Sequence, residues 1–180
     1  MTDAATAFSV SAWVRERRLT LLGVGVGTTS WALAFGLAWR WWPGPLPSAA
    51  GDRVAYALQL PAQPAIVLLM MVCSCFRLFD TARAEDPRAG AESRRFRINQ
   101  RVLTNTLEQG AVFVLLVLGL ATRLPPQQLK LLPIAVAIWC AGRLMFWGGY
   151  HVAPHWRAPG FDWTFYTSAL LAGWYVYSEM

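Results

Sequence analysis

Arg101, Asn105 and Glu108 follow one another at spacings i, i+4 and i+7 inside an apolar stretch of this 180-residue chain. If the stretch is helical, a guanidinium, an amide and a carboxylate share one face. A charge at the centre of a bilayer costs about 3 kcal/mol on insertion scales, so such residues are expected to be buried against protein or water and paired. A second apolar stretch holds Arg143, with Tyr150 seven residues on and so on the same face. Glu108 could neutralise Arg101 or Arg143 and tie two helices together. One carboxylate cannot satisfy several arginines, an amide and a phenol, and the surplus of donors suits a small anionic ligand. Arginine forks match carboxylates in bidentate fashion, while Asn and Glu can hold amide and ammonium groups. A peptide-like molecule with two carboxylates and one amine, such as glutathione, fits that inventory.

The elements that must carry these residues follow from composition. The chain is 56% hydrophobic and only 14% charged, against about 25% charged for a soluble domain. A bilayer core needs about 20 apolar residues per helix. Five segments qualify: Leu19–Trp42, Val54–Phe79, Val102–Thr122, Leu131–Tyr150 and Phe161–Tyr177. Helices are the expected solution, because lipid offers the backbone no hydrogen-bond partners. Pro61 and Pro64 should kink the second span, and the prolines from Pro43 to Pro47 should form a turn after the first. Arg123 to Pro126 should open a tight hairpin between the third and fourth spans. Asp162 is expected to cap the last helix near its N-terminus.

Of the ten tryptophans, Trp39, Trp41 and Trp42 close one apolar run and Trp163 lies near the start of another, as expected of interfacial indoles. The segment from Arg77 to Arg101 holds seven arginines against four acids. With Arg15, Arg17, Arg18 and Arg157 it places eleven basic residues on one side of a five-span chain, against Arg40, Arg53, Arg123 and Lys130 on the other. The N-terminus and the long loop should therefore be cytoplasmic and the C-terminus external. Positive-inside topology accounts for the net charge of +6 without a nucleic-acid partner. Cys73, Cys75 and Cys140 lack zinc-site spacing and read as small apolar helix residues. His151 and His155 have metal-compatible spacing, but Pro154 interrupts the helix and no third ligand is evident, so no metal is expected. Gly23, Gly25 and Gly27 resemble a phosphate loop only superficially; close helix packing suits small residues inside a span.

Arg101-x-x-x-Asn105-x-x-Glu108 resembles the signature of the MAPEG family, the membrane-associated proteins of eicosanoid and glutathione metabolism. So do Gly142-Arg143 followed by Tyr150, then Arg157-Ala-Pro159 before one last helix, and Cys75-Phe-Arg77-Leu ahead of a charged loop. The resemblance runs from Val54 to the C-terminus. It implies an all-α integral membrane fold: a MAPEG-like four-helix domain over residues 51–180, preceded over residues 1–50 by a cytoplasmic segment and one added transmembrane helix. It also implies a homotrimer with glutathione as co-substrate between subunits near the cytoplasmic side. Arg77, Arg101, Asn105, Glu108, Arg143 and Tyr150 would bind it. Arg157 stands where the family carries an arginine thought to stabilise the thiolate, which is the nucleophilic form. The implied function is that of a glutathione transferase or peroxidase acting on lipophilic electrophiles from the bilayer. The alternative is a non-catalytic membrane protein of the same fold that binds a lipid or a partner. The sequence departs from the family pattern at Phe146, where a polar tyrosine or histidine is usual, and at Thr104, where some members carry arginine. A small transporter would also use buried charges, but the spans show no internal repeat.

Overall fold

The computed structural model describes residues 10–42, 49–84, 86–178 and 180. Among them are six α-helices and no strand: α1 (Val10–Trp41), α2 (Ala50–Gln59), α3 (Ala62–Cys73), α4 (Arg94–Arg123), α5 (Leu131–Val152) and α6 (Ala158–Tyr177). Four segments are long and apolar enough to cross a membrane: Arg17–Trp41, Gly51–Cys73, Arg94–Arg123 and Pro126–Val152. The fifth expected span is α6. It has 20 residues, about 30 Å of helix, but Asp162, Thr164, Thr167 and Ser168 make it too polar to meet the same measure. It is instead packed between α5 and α1.

Several expected boundaries move: α1 starts at Val10 and α6 at Ala158, ahead of Leu19 and Phe161, and three further shifts have local reasons. The second span breaks between α2 and α3, at Leu60–Pro61, because a proline ring excludes the preceding turn and removes a donor. It then ends at Cys73 rather than Phe79. Arg77–Phe79 forms a separate 3-10 turn that leaves Leu78 and Phe79 exposed. The third span begins at Arg94, eight residues before Val102. Ser93 caps it, its Oγ accepting from the Phe96 N–H at 3.0 Å, and buried Phe96, Ile98 and Val102 hold the charged first turns on the bundle. Asp162 is not a cap, because α6 already starts at Ala158. The Asp162 side chain lies 5% exposed in the α1–α6 interface, with Oδ2 unpartnered. The expected turn at Pro43–Pro47 falls outside the described residues.

The hairpin between α4 and α5 is tight, with one 3-10 turn at Pro126–Gln128 and buried Leu124 and Leu129 beneath it. The core lies along α5: Phe113 stacks on Trp139 at 4.9 Å between ring centroids, with Leu120, Leu132 and Leu171 around them. The added helix α1 docks on α6 through its glycines. A Cβ on Gly27 would lie 2.7 Å from the Pro159 Cα, and one on Gly23 3.1 Å from the Ala158 Cβ, whereas Gly25 faces open space. Small residues let the backbones approach, as the sequence implied. Trp31 Nε1 donating to Thr167 at 3.0 Å and Trp163 Nε1 donating to Ser30 at 2.9 Å fix the register.

The helix order sorts the arginines to one end. There the Asn99 amide donates to the Ser74 carbonyl at 3.0 Å, Arg94 reaches the His151 carbonyl at 3.4 Å, and Gly23 meets the turn before α6. At the other end Lys130 donates to the Trp39 carbonyl at 3.1 Å and Arg53 to that of Leu124. The two sets of basic residues counted in the sequence thus occupy opposite ends of the bundle.

Candidate functional site

α4 carries the stripe, which faces outward in this chain rather than being buried as the sequence led one to expect. Arg101 and Glu108 are exposed and Asn105 is only half-buried. They line a groove of about 370 Å³ together with Arg97, Gln100 and Thr104, within the size range of small-molecule sites. The bundle buries the opposite face of α4, through Asn99, Val102, Thr106 and Phe113, so i, i+4, i+7 spacing predicted a shared face but not which way it turns.

Behind the groove stands Arg143, which is fully buried. Its Nη1 donates to Asn105 Oδ1 at 2.9 Å and its Nη2 to the Thr164 hydroxyl. Its guanidinium lies 4.7 Å from the Phe146 ring centroid and its Nε has no partner. A buried arginine needs such donors' partners to offset its desolvation. Asn105 is therefore the joint between the exposed stripe and the buried cation. Glu108 does not reach Arg143, so the charge-neutralising role considered from sequence is not what holds these helices together.

Tyr150 and Arg157 form a second pair. Arg157 Nη1 donates to the Tyr150 hydroxyl at 2.9 Å, and the guanidinium sits 4.9 Å from the ring centroid. The 3-10 turn Pro154–Arg157 brings them together by folding the chain back over the end of α5. Two glycines permit that fold. A Cβ on Gly149 would overlap the Trp156 carbonyl oxygen and lie 2.7 Å from its carbon, and one on Gly160 would lie 2.6 Å from the Phe146 Cα.

Arg77 is not brought to either group. It forms an ion pair with Glu92, donates to the Ala84 carbonyl at 3.1 Å, and lies 4.7 Å over the Phe96 ring. These contacts organise the loop ahead of α4. In the same loop Asp80 accepts from the Ser93 N–H at 2.8 Å and from its hydroxyl, and those bonds hold its carboxyl below the ordinary carboxylate range.

Asn99 is the polar residue that the sequence reading missed. It is 2% exposed; its Oδ1 lies 2.9 Å from both Trp147 Nε1 and His151 Nε2. The available signal was a polar amide in the charged run before Val102, two residues ahead of the stripe, opposite Trp147 and His151 at i, i+4.

These features define a multi-pass α-helical membrane protein with a cation-rich polar groove on one helix, backed by a buried arginine. The family model for MAPEG matches residues 54–177, more than two-thirds of the chain. The chain belongs to the MAPEG family, whose members are all-α membrane proteins of glutathione and eicosanoid metabolism. The matched segment begins after α1, which is therefore additional to the family domain. No curated protein and no solved structure matches the chain.

Proposed function

We propose that this chain is a membrane glutathione transferase or peroxidase that binds glutathione in the α4 groove and presents its thiolate to lipophilic electrophiles. The observation that carries the proposal is the Arg101–Asn105–Glu108 groove, open on its outer side and backed by Arg143. Arg101 and Arg97 offer forks to carboxylates, Glu108 an acceptor for an ammonium group, and Asn105 a link to the buried cation. Charged side chains facing outward at membrane depth call for cover, and a neighbouring copy in a homotrimer would supply it. Arg157 would stabilise the thiolate, with Tyr150 holding the guanidinium. Attack then forms a carbon–sulfur bond while the electrophile's leaving group departs with its electron pair. Arg77 would act in this scheme by ordering the loop. The arginine-rich end would face the cytoplasm and the C-terminus the other side.

The test is conjugation of glutathione to an activated aryl halide by the purified protein. Arg157→Ala should lower turnover by about a hundredfold, the scale of losing one transition-state charge contact, with little change in glutathione affinity. One observation favours a non-catalytic alternative: Phe146 puts a buried apolar ring on Arg143 where the family usually has a polar group. Thermal stabilisation by a lipid or a partner, with no effect of glutathione, would select that alternative. Absence of binding would refute the proposal.

A further inference from the structure

A second pocket lies on the other side of α4 at the arginine-rich end. It encloses about 350 Å³ between α4 and α5 and is lined by Arg95, Asn99, Leu144, Trp147, Gly148 and His151. None of these belongs to the groove or to the Tyr150–Arg157 pair. Its chemistry is graded along α5. His151 and Arg95 form the end nearest the loop, and Leu144, 43% exposed, forms the deep end. The seven-residue step from Leu144 to His151 spans about 10 Å of helix axis. Gly148 is the notch between the two ends, since a Cβ there would meet nothing within 4 Å.

The polar end is built rather than incidental. Buried Asn99 donates its amide to the Ser74 carbonyl, which leaves its Oδ1 to accept from Trp147 Nε1 and from His151 Nε2, each at 2.9 Å. That arrangement assigns the proton of neutral His151 to Nε2 and leaves Nδ1 for another partner. The other cation at this end, Arg94, is held near by its contact to the His151 carbonyl at 3.4 Å. Two arginines and an imidazole therefore stand at the membrane boundary above an apolar, lipid-facing slot.

We propose that this pocket binds an anionic phospholipid, with the phosphate on Arg95, a headgroup hydroxyl donating to His151 Nδ1, and one acyl chain laid through the Gly148 notch against Leu144. A guanidinium suits phosphate oxygens and an unprotonated imidazole nitrogen suits a hydroxyl, and the apolar slot suits a chain that continues into the bilayer. Juxtamembrane arginines attract anionic lipid in any case; the notch is what makes this a site. The inference is independent of glutathione binding.

The experiment measures thermal unfolding of the full chain in detergent against added phosphatidylglycerol, phosphatidylcholine or inorganic phosphate. Phosphatidylglycerol should raise the midpoint and the other two should not. Arg95→Gln, at an exposed position, should weaken the apparent lipid affinity by about tenfold, the order of one charge-assisted contact. Gly148→Leu should weaken it comparably while leaving glutathione binding unchanged. Equal stabilisation by phosphatidylcholine, equal stabilisation by inorganic phosphate, or indifference to both substitutions would each overturn the proposal.

Discussion

Gly149 and Gly148 are neighbours in the last turns of α5, yet the structure predicts opposite consequences for replacing them with alanine. At Gly149 the new methyl meets the Trp156 backbone, 2.7 Å from its carbonyl carbon and 3.1 Å from Arg157 N. Relief requires the Pro154–Arg157 turn to move out by about 1 Å, because backbone atoms cannot rotate aside as a side chain end can. Overpacking of this kind costs about 1–3 kcal/mol, partly offset by the gain of up to about 1 kcal/mol from removing glycine from a helix. At Gly148 the methyl meets nothing, and only that gain remains. The pair should therefore differ by about 1–3 kcal/mol. In thermal unfolding of the detergent-solubilised protein, Gly149→Ala should fall below the parent and Gly148→Ala should match or exceed it. The same displacement moves Arg157 away from Tyr150, and misplacing a catalytic group by about 1 Å can cost a hundredfold in rate. Loss of turnover should thus exceed the loss of glutathione affinity in Gly149→Ala. Equal shifts of the same sign in both variants would refute the close approach of α5 and the turn.

Two further outcomes test other parts of the structure. Ser93 both caps α4 and holds Asp80, so Ser93→Ala should cost about 1 kcal/mol from the cap alone. Asp80 is an acid whose folded-state carboxyl is held low, so its contribution is present above the ordinary carboxylate pKa of about 4 and is lost as pH falls through the lower folded value. The deficit of Ser93→Ala relative to parent should accordingly shrink on acidification below about pH 4, as followed by amide hydrogen exchange in α4's first turn. Asn99→Ala strands the Ser74 carbonyl and the Trp147 and His151 donors, and should destabilise by about 2–4 kcal/mol in denaturant or thermal titrations. Asn99→Asp should not restore the bond to Ser74, since an ionised carboxylate has no donor.

Much of the architecture was legible because lipid makes sequence and fold speak the same language. Apolar length located α1, α4 and α5, the prolines marked the hairpin, and of the three glycines read as packing residues Gly23 and Gly27 make the contact while Gly25 does not. Orientation was less legible. The spacing of Arg101, Asn105 and Glu108 showed that they share a face, but their neighbours Asn99, Val102 and Thr106 make an equally regular stripe, and only the packed bundle shows which is turned inward. Asp162 looked like a cap because the preceding Ala158-Pro159-Gly160 reads as loop; the proline instead occupies the first turn of α6, where its missing N–H costs nothing. The sequence reading began this span at Val102, but α4 starts at Arg94 because Ser93 caps it and buried Phe96 and Ile98 hold its first turns on the bundle. The Tyr150–Arg157 pair depends on a turn whose course two glycines set, and a helical seven-residue spacing alone does not describe it.

The central claim is that the α4 groove binds glutathione. Its most direct measurement is a calorimetric titration of glutathione into the detergent-solubilised protein, with Arg101→Ala in parallel. Arg101 is exposed, so its replacement should leave the unfolding free energy within about 0.5 kcal/mol of the parent, while weakening glutathione binding by about tenfold or more for the loss of a charged fork. Saturable binding to the parent, weakened in Arg101→Ala, is the result expected. Absence of binding, or equal affinity in the two proteins, would contradict the account.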